Sequence, residues 1–373
     1  MDCDEARLGG RRAFLPLVNR SGAIHLERLV RFVLTGAAFL AARRPLAAQT
    51  AGESLIVLNK GEATASVIDL ASGRVAYALP VGNGPHEVAV SIDGATAVAC
   101  NYGTAQAPGS SLTVLDLAGR RVERTIDLGM YRRPHGIAWL PDNRRVVVTV
   151  EANQAVLVVD VHAGVVERAI ATNENGTHLL VRSRDGSRVY TANIGAGSVS
   201  MIDLLSGTLL KTTHLGRGPE AIDLSPDGKE LWTADRPLER VFVLDARTLD
   251  TITSAATGKF PNRLKFTPDG RHVLLSNAQS GYVGIYEVKR RTEIARIPFA
   301  VDTALLRPQL LGSQMGNSAT PLGILMHPGG TRAWVALAAM DRIAEVDIEK
   351  RTVVRLLQAG REPDGMALVP ARR

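Results

Sequence analysis

The chain has 373 residues, 45% of them hydrophobic, which is ample for a sizeable core, but only 4% are aromatic, so Val, Leu, Ile and Ala must build it. Of the net charge of +7, residues 1–50 carry +4 through eight Arg against four acids. The rest of the chain has no basic run with interleaved aromatics, which excludes nucleic acid as a partner.

In chain order, residues 1–50 read as a leader. Arg28 and Arg31 precede the apolar run Phe32–Ala42, and small residues around Ala48 follow it, as a signal peptidase requires. The run is too short to span a bilayer. A periplasmic or secreted protein is expected, with no transmembrane span in the mature chain. Arg43-Arg44 sits unusually for such a signal, and Arg11-Arg12 lacks a following apolar run. Cys3 falls in the leader and Cys100 in a predicted strand, so no disulfide framework exists.

Residues 51–373 form one repeating domain. Between Ser187 and Gly228 four short β-branched runs are closed by turn residues, the pattern of four antiparallel strands. An acidic residue ends the third run of each unit: Asp69, Asp116, Asp160, Asp203, Asp245, Glu287 and Asp347. The spacings are 47, 44, 43, 42, 42 and 60 residues. Four strands per period of this length predict an all-β, seven-bladed β-propeller of four-stranded antiparallel blades. The first unit lacks an inner strand and the last segment, Asp364–Val369, supplies one, so the C-terminal strand should close the ring on the N-terminal strands. A monomer is favoured.

The phrases VYTANIGAGSVSMID (189–203), PVGNGPHEVAVSIDG (80–94) and IDLSPDGKELWTAD (222–235) resemble the YVTN-repeat, YncE-like β-propellers of exported prokaryotic proteins. The resemblance runs from Ser54 to Pro370 and implies fold and export. It implies no single activity.

Residues shared by every blade are structural, so function is sought where one register varies. The acidic ruler residues should cap turns. The first residue of each inner strand reads His86, His135, His178, Glu220, Asn262, Leu322 and Asp364, a predicted ring at one mouth of the central channel. Three histidines and a carboxylate on consecutive blades are ligands for zinc, iron, copper or manganese, so His86, His135, His178 and Glu220 form a candidate metal site. Second strands end beside the ring at Asn59, Asn101, Asn193, Asp235 and Asn277, and Arg132, Arg133, Arg217, Lys259 and Arg361 give a basic rim. The candidate ligand-binding set is therefore Asn101, Arg132, Arg133, Asn193, Arg217, Asp235, Lys259, Asn262, Asn277, Arg361 and Asp364. Insertions at Tyr102–Ser110 and Val301–Thr320 fall on the same mouth, and Leu305–Leu311 is apolar enough for a lid.

Three functions remain. The first is an exported binding protein that holds a small anionic ligand, a metal or a partner protein at the mouth. The second is a metal-dependent lyase or hydrolase, with Glu220, Tyr131 and Arg133 as catalytic candidates. The third is a structural role in the cell envelope.

Overall fold

The computed structural model describes residues 52–307 and 315–371. Among these residues the strands form seven four-stranded antiparallel sheets. No helix among them is long and apolar enough to cross a membrane. The leader read in residues 1–50 lies outside the described residues, as does the 308–311 part of the lid segment.

Burial is greatest in the two middle strands of each blade and least in the outer one. The middle strand β10 (Ala155–Asp160) is buried at every position, because sheets of adjacent blades cover both of its faces. The outer strand β7 (Arg121–Asp127), sequence RVERTID, alternates exposed with half-buried residues, since only one face meets a neighbour. The cores lie between blades. One joins Val98, Leu112 and Ile126 of the second blade to Val146, Leu157 and Val159 of the third. Small aliphatic side chains suffice because each sheet is packed from both sides.

Ring closure is as the repeat requires. The last strand, β28 (Pro363–Val369), pairs antiparallel with β1 (Ser54–Asn59), with Ser54 opposite Val369 and Ile56 opposite Ala367. The blade is completed outwards by β2 (Thr64–Asp69) and β3 (Arg74–Pro80). The inner edge of β1 is thus covered by β28, as the inner strand covers the second strand in every other blade.

The other inner strands are β4 (Pro85–Val90), β8 (Pro134–Trp139), β12 (Thr177–Arg182), β16 (Pro219–Leu224), β20 (Pro261–Phe266) and β24 (Pro321–Met326). Each begins one residue earlier than the sequence suggested, at the proline or threonine before the ring residue. Each also slips register against its neighbour at that point, for instance between Pro85 and Val88, between Pro134 and Ile137, and between Thr177 and Leu179. A β-bulge re-aims the side chains it carries. All seven ring residues sit in such a bulge, so they turn towards the mouth instead of into the sheet. Inner strands also approach closely: a Cβ on Gly136 would lie 2.8 Å from the Leu180 nitrogen of the next blade.

The acidic ruler residues cap turns, as expected. Asp69 accepts from the Ser72 amide and hydroxyl, Asp203 from those of Ser206, and Asp116 from the Gly119 amide. Leu305 and Leu306 do not cover the mouth. They pack on the core between the sixth and seventh blades, and the Arg307 amide bonds the Ala339 carbonyl.

Candidate functional site

The seven ring residues line one polar cavity of about 90 Å³, together with Lys60, Arg236 and Arg263. That space holds a few waters or a small ligand. The three imidazoles stack in blade order, with ring centres of His86 and His135 at 4.6 Å and of His135 and His178 at 3.7 Å. The outer two are braced by carboxylates: His86 Nδ1 lies 3.2 Å from Asp364, and His178 Nδ1 lies 3.1 Å from Glu151. The middle one is not. His135 is 1% exposed, and neither of its ring nitrogens has a hydrogen-bond partner. A buried imidazole left so is costly and calls for an explanation.

Charge is arranged around this gap. Glu220 ion-pairs with Arg236 at 2.7 Å and Arg263 at 2.9 Å, accepts from Asn262 at 2.7 Å, and lies 3.7 Å from His178 Nε2. Burial opposes its ionisation, but Arg236, His178 and Arg263 hold its pKa far below the ordinary glutamate value. Asp364 behaves alike, with burial outweighed by Lys60 at 3.1 Å and by His86.

The imidazoles diverge. Burial lowers the His86 pKa to about 4 despite its bond to Asp364. Burial, then the charge of His178, pushes His135 well below the usual histidine range. For His178 burial is more than offset by hydrogen bonds to Glu151 and Glu220, and its pKa is raised. At neutral pH His86 and His135 are therefore neutral, and His178 is the imidazole of the three that most readily takes a proton. The lining has three permanent cations, Lys60, Arg236 and Arg263, and the protonatable His178, against the carboxylates Glu220 and Asp364. Glu151 and Glu87 back His178 and Arg263 from outside the cavity.

Arg263 also forms the floor. It reaches Glu87 on the far side of the channel at 2.9 Å while holding Glu220. Burial raises the Glu87 pKa more than Arg263 lowers it.

Other sequence candidates are placed elsewhere. Asn101 and Asn193 are buried in their own blades: Asn101 bonds Ser111, Thr113 and the Gly82 amide, and Asn193 bonds Ser198 and Ser200. Asp235 accepts from the Arg217, Gly218 and Leu238 amides, and Asn277 donates to the Leu275 carbonyl. These four hold the scaffold and do not line the cavity. Tyr131 packs on the core between the second and third blades. Arg133 lies over the Tyr102 ring at 4.8 Å, while Arg132, Arg217, Lys259 and Arg361 are exposed on the rim. Among the described residues, no group of three or more His, Cys, Asp or Glu is arranged to hold a metal ion.

The missed residues share a register. Lys60, Glu151 and Arg236 each immediately follow the last residue of a second strand, namely Asn59, Val150 and Asp235, and Tyr102 holds the equivalent place after Asn101 in the second strand of blade two, which runs on to Gly103. Strand alternation turns that next position towards the mouth. Tyr102, delivered by the blade-two insertion, stacks 4.7 Å from His86 and donates to Glu151 at 2.8 Å. Burial and then Glu151 push its pKa up to about 12. The sequence signal was available: this position reads Lys, Tyr, Glu, Ile, Arg, Ala, Ala around the ring, as varied as the histidine register.

Fold and site together define a seven-bladed β-propeller with a polar, closed channel mouth. The family model described as lactonase, seven-bladed β-propeller, matches residues 208–297. Two solved structures are similar in fold. Hydrazine synthase from Kuenenia stuttgartiensis shares 19% identity at a TM-score of 0.62, over 75% of this chain and 88% of that one. A functionally unknown protein from Desulfotomaculum acetoxidans shares 14% at a TM-score of 0.69, over 84% of this chain and 98% of that one. No curated protein sequence matches the chain.

Proposed function

We propose that this protein binds a small carboxylate in the cavity at the histidine mouth. The observation that carries the reading is His135, buried and with both ring nitrogens unpartnered, on a cavity whose cationic side chains outnumber its carboxylates. A ligand carboxylate accepts from His135 and His178, and takes charge compensation from Lys60 or Arg236. The exposed rim cations, Arg132, Arg217, Lys259 and Arg361, draw anions to the mouth. Thermal shift and calorimetry with acetate, glycolate, pyruvate, succinate and inorganic phosphate test this. At least one carboxylate should raise the melting temperature, and His135→Ala should abolish the effect. No response from any member of the panel would contradict the proposal.

A second reading makes the cavity catalytic, as a lyase or hydrolase. It rests on the lactonase-model match, since residues 208–297 supply Glu220, Arg236, Asn262 and Arg263 to the cavity. A neutral His135 could then act as general base towards a bound ester or lactone. In a metal-dependent form the ion would be held by His86, His135 and His178 with Glu220. The carboxylates behind His86 and His178 resemble the outer-shell partners of metal-ligating histidines. Hydrolysis of a small lactone panel, with metal analysis of untagged protein before and after chelation, separates these forms.

The repeat phrases support membership among the YVTN-type, YncE-like propellers, and the Phe32–Ala42 run supports export to the periplasm or beyond. Mass spectrometry from the native host should find an N-terminus near residues 48–53. An intact N-terminus in the cytoplasm would refute export.

A further inference from the structure

The opposite end of the channel differs in size and chemistry. Where β8, β12, β16 and β20 end, a cavity of about 1100 Å³ opens, at the upper limit of ordinary small-molecule clefts. The narrower waist between the two mouths is crossed by the Arg263–Glu87 pair, so the ends are chemically separate.

The wide cavity is lined by Arg182, Arg184 and Arg188, and none of the three has a carboxylate within ion-pair distance among the described residues. Arg182 is half-buried and fixed by backbone alone: Nε donates to the Trp139 carbonyl at 2.6 Å, and Nη1 to the carbonyls of Ser183 and Arg184 at 2.9 and 3.0 Å. Its remaining nitrogen, Nη2, has no partner among the described residues. Burial pulls its pKa down by more than the charge of Asp185, which lies outside ion-pair distance, raises it. Arg188 reaches the Met201 sulfur at 3.9 Å, and Arg184 is exposed.

The acids of this mouth are already engaged. Asp223 accepts from the Phe266 amide and lies 3.6 Å from Lys265; Asp227 is tied to Ser225 and Lys229; Asp185 is held by Ser183 and Ser187. Three guanidiniums therefore stand over one carboxylate that lacks an ion-pair partner. Leu180, Val181, Leu224 and Pro226 supply apolar wall beside them.

We propose that this second mouth is an independent binding site for an organic oxyanion, its phosphate or carboxylate groups held by Arg182, Arg184 and Arg188 and its carbon body by the aliphatic wall. Guanidinium forks match both anions in planar, two-point geometry, and a pre-fixed Arg182 loses little freedom on binding.

The test is calorimetry on the full chain at low salt, with pyrophosphate and citrate as probes. At least one should bind saturably, and which one does so assigns phosphate or carboxylate as the preferred group. Arg182→Gln should weaken that binding by about tenfold or more. Should Arg182→Gln fail to fold, the exposed double variant R184Q/R188Q carries the same expectation. His135→Ala should leave this binding unchanged, while it removes binding at the histidine mouth. No saturable heat from either probe up to about 10 mM overturns the proposal. So does binding that survives the double variant, or binding that His135→Ala abolishes.

Discussion

Two polar registers meet at the histidine mouth and use their polar atoms in opposite ways. The residues ending the second strands, Asn59, Asn101, Asn193, Asp235 and Asn277, are buried and mostly satisfied by their own blade. Asn59 and Asn101 also hold the amides of Gly360 and Gly82, and so fix the loops that lead into the inner strands. The residues in the inner-strand bulges meet residues of other blades across the mouth, and His135 among them meets no hydrogen-bond partner. A register repeated around the ring and satisfied locally is scaffold. A register that varies around the ring, with polar capacity left over, is where a ligand is expected.

The largest effect should come from the scaffold. Removing residues 363–373 takes β28 out of the first blade and bares the inner face of β1. The truncated chain should give no soluble folded monomer, and an unchanged cooperative melt would break the closure argument. Next in size, Asn193→Ala removes a buried amide that bonds the Thr191, Ser198 and Ser200 hydroxyls and should cost about 2 kcal/mol in chemical denaturation. Carboxylate binding should survive that substitution. His135→Ala sharpens the contrast by reversing it: binding is lost, while stability changes by no more than about 1 kcal/mol, since the imidazole forms no bond to lose.

Stability should also depend on pH with a workable sign. In the unfolded chain all three histidines titrate near their ordinary value of about 6.5. Folded, His86 stays neutral down to about pH 4 and His135 lies well below the usual range, so between pH 6.5 and 4 the unfolded state binds more protons. Stability should fall as pH falls through that window. His178 acts oppositely: its raised pKa gives a contribution fully present below about pH 6.5 and lost as pH rises through the folded value. Maximum stability is expected near neutrality, and His135→Phe should flatten the acid limb of a pH–denaturation series. The smallest effect belongs to the rim. Arg217→Ala or Lys259→Ala should weaken carboxylate binding by about twofold at low salt and not at all at high salt, because both side chains are solvated.

The fold was legible because seven copies of one pattern average out local ambiguity. The acidic ruler residues mark every blade and Asp-Gly turns mark four of them, and the missing inner strand of the first unit announces its closure by the last. The ring of seven was legible for the same reason. Two things were not. The Asn positions looked like site residues because a polar residue at a channel mouth does not show whether its own blade satisfies it. Lys60, Tyr102, Glu151 and Arg236 were passed over because no two carry the same chemistry, although their shared register was in plain view. Glu87 and Arg263 sit on opposite sides of the ring, and only closure in three dimensions brings them to 2.9 Å.

The most direct test is nuclear magnetic resonance of the histidine ring nitrogens in uniformly labelled protein, titrated from pH 8 to 5 with and without succinate. His135 should stay neutral throughout, His178 should titrate above the ordinary histidine value, and the His135 ring signals should shift on adding succinate or another carboxylate that binds. A His135 that titrates near pH 6.5, as an exposed histidine does, and ignores every carboxylate would contradict the site at its centre.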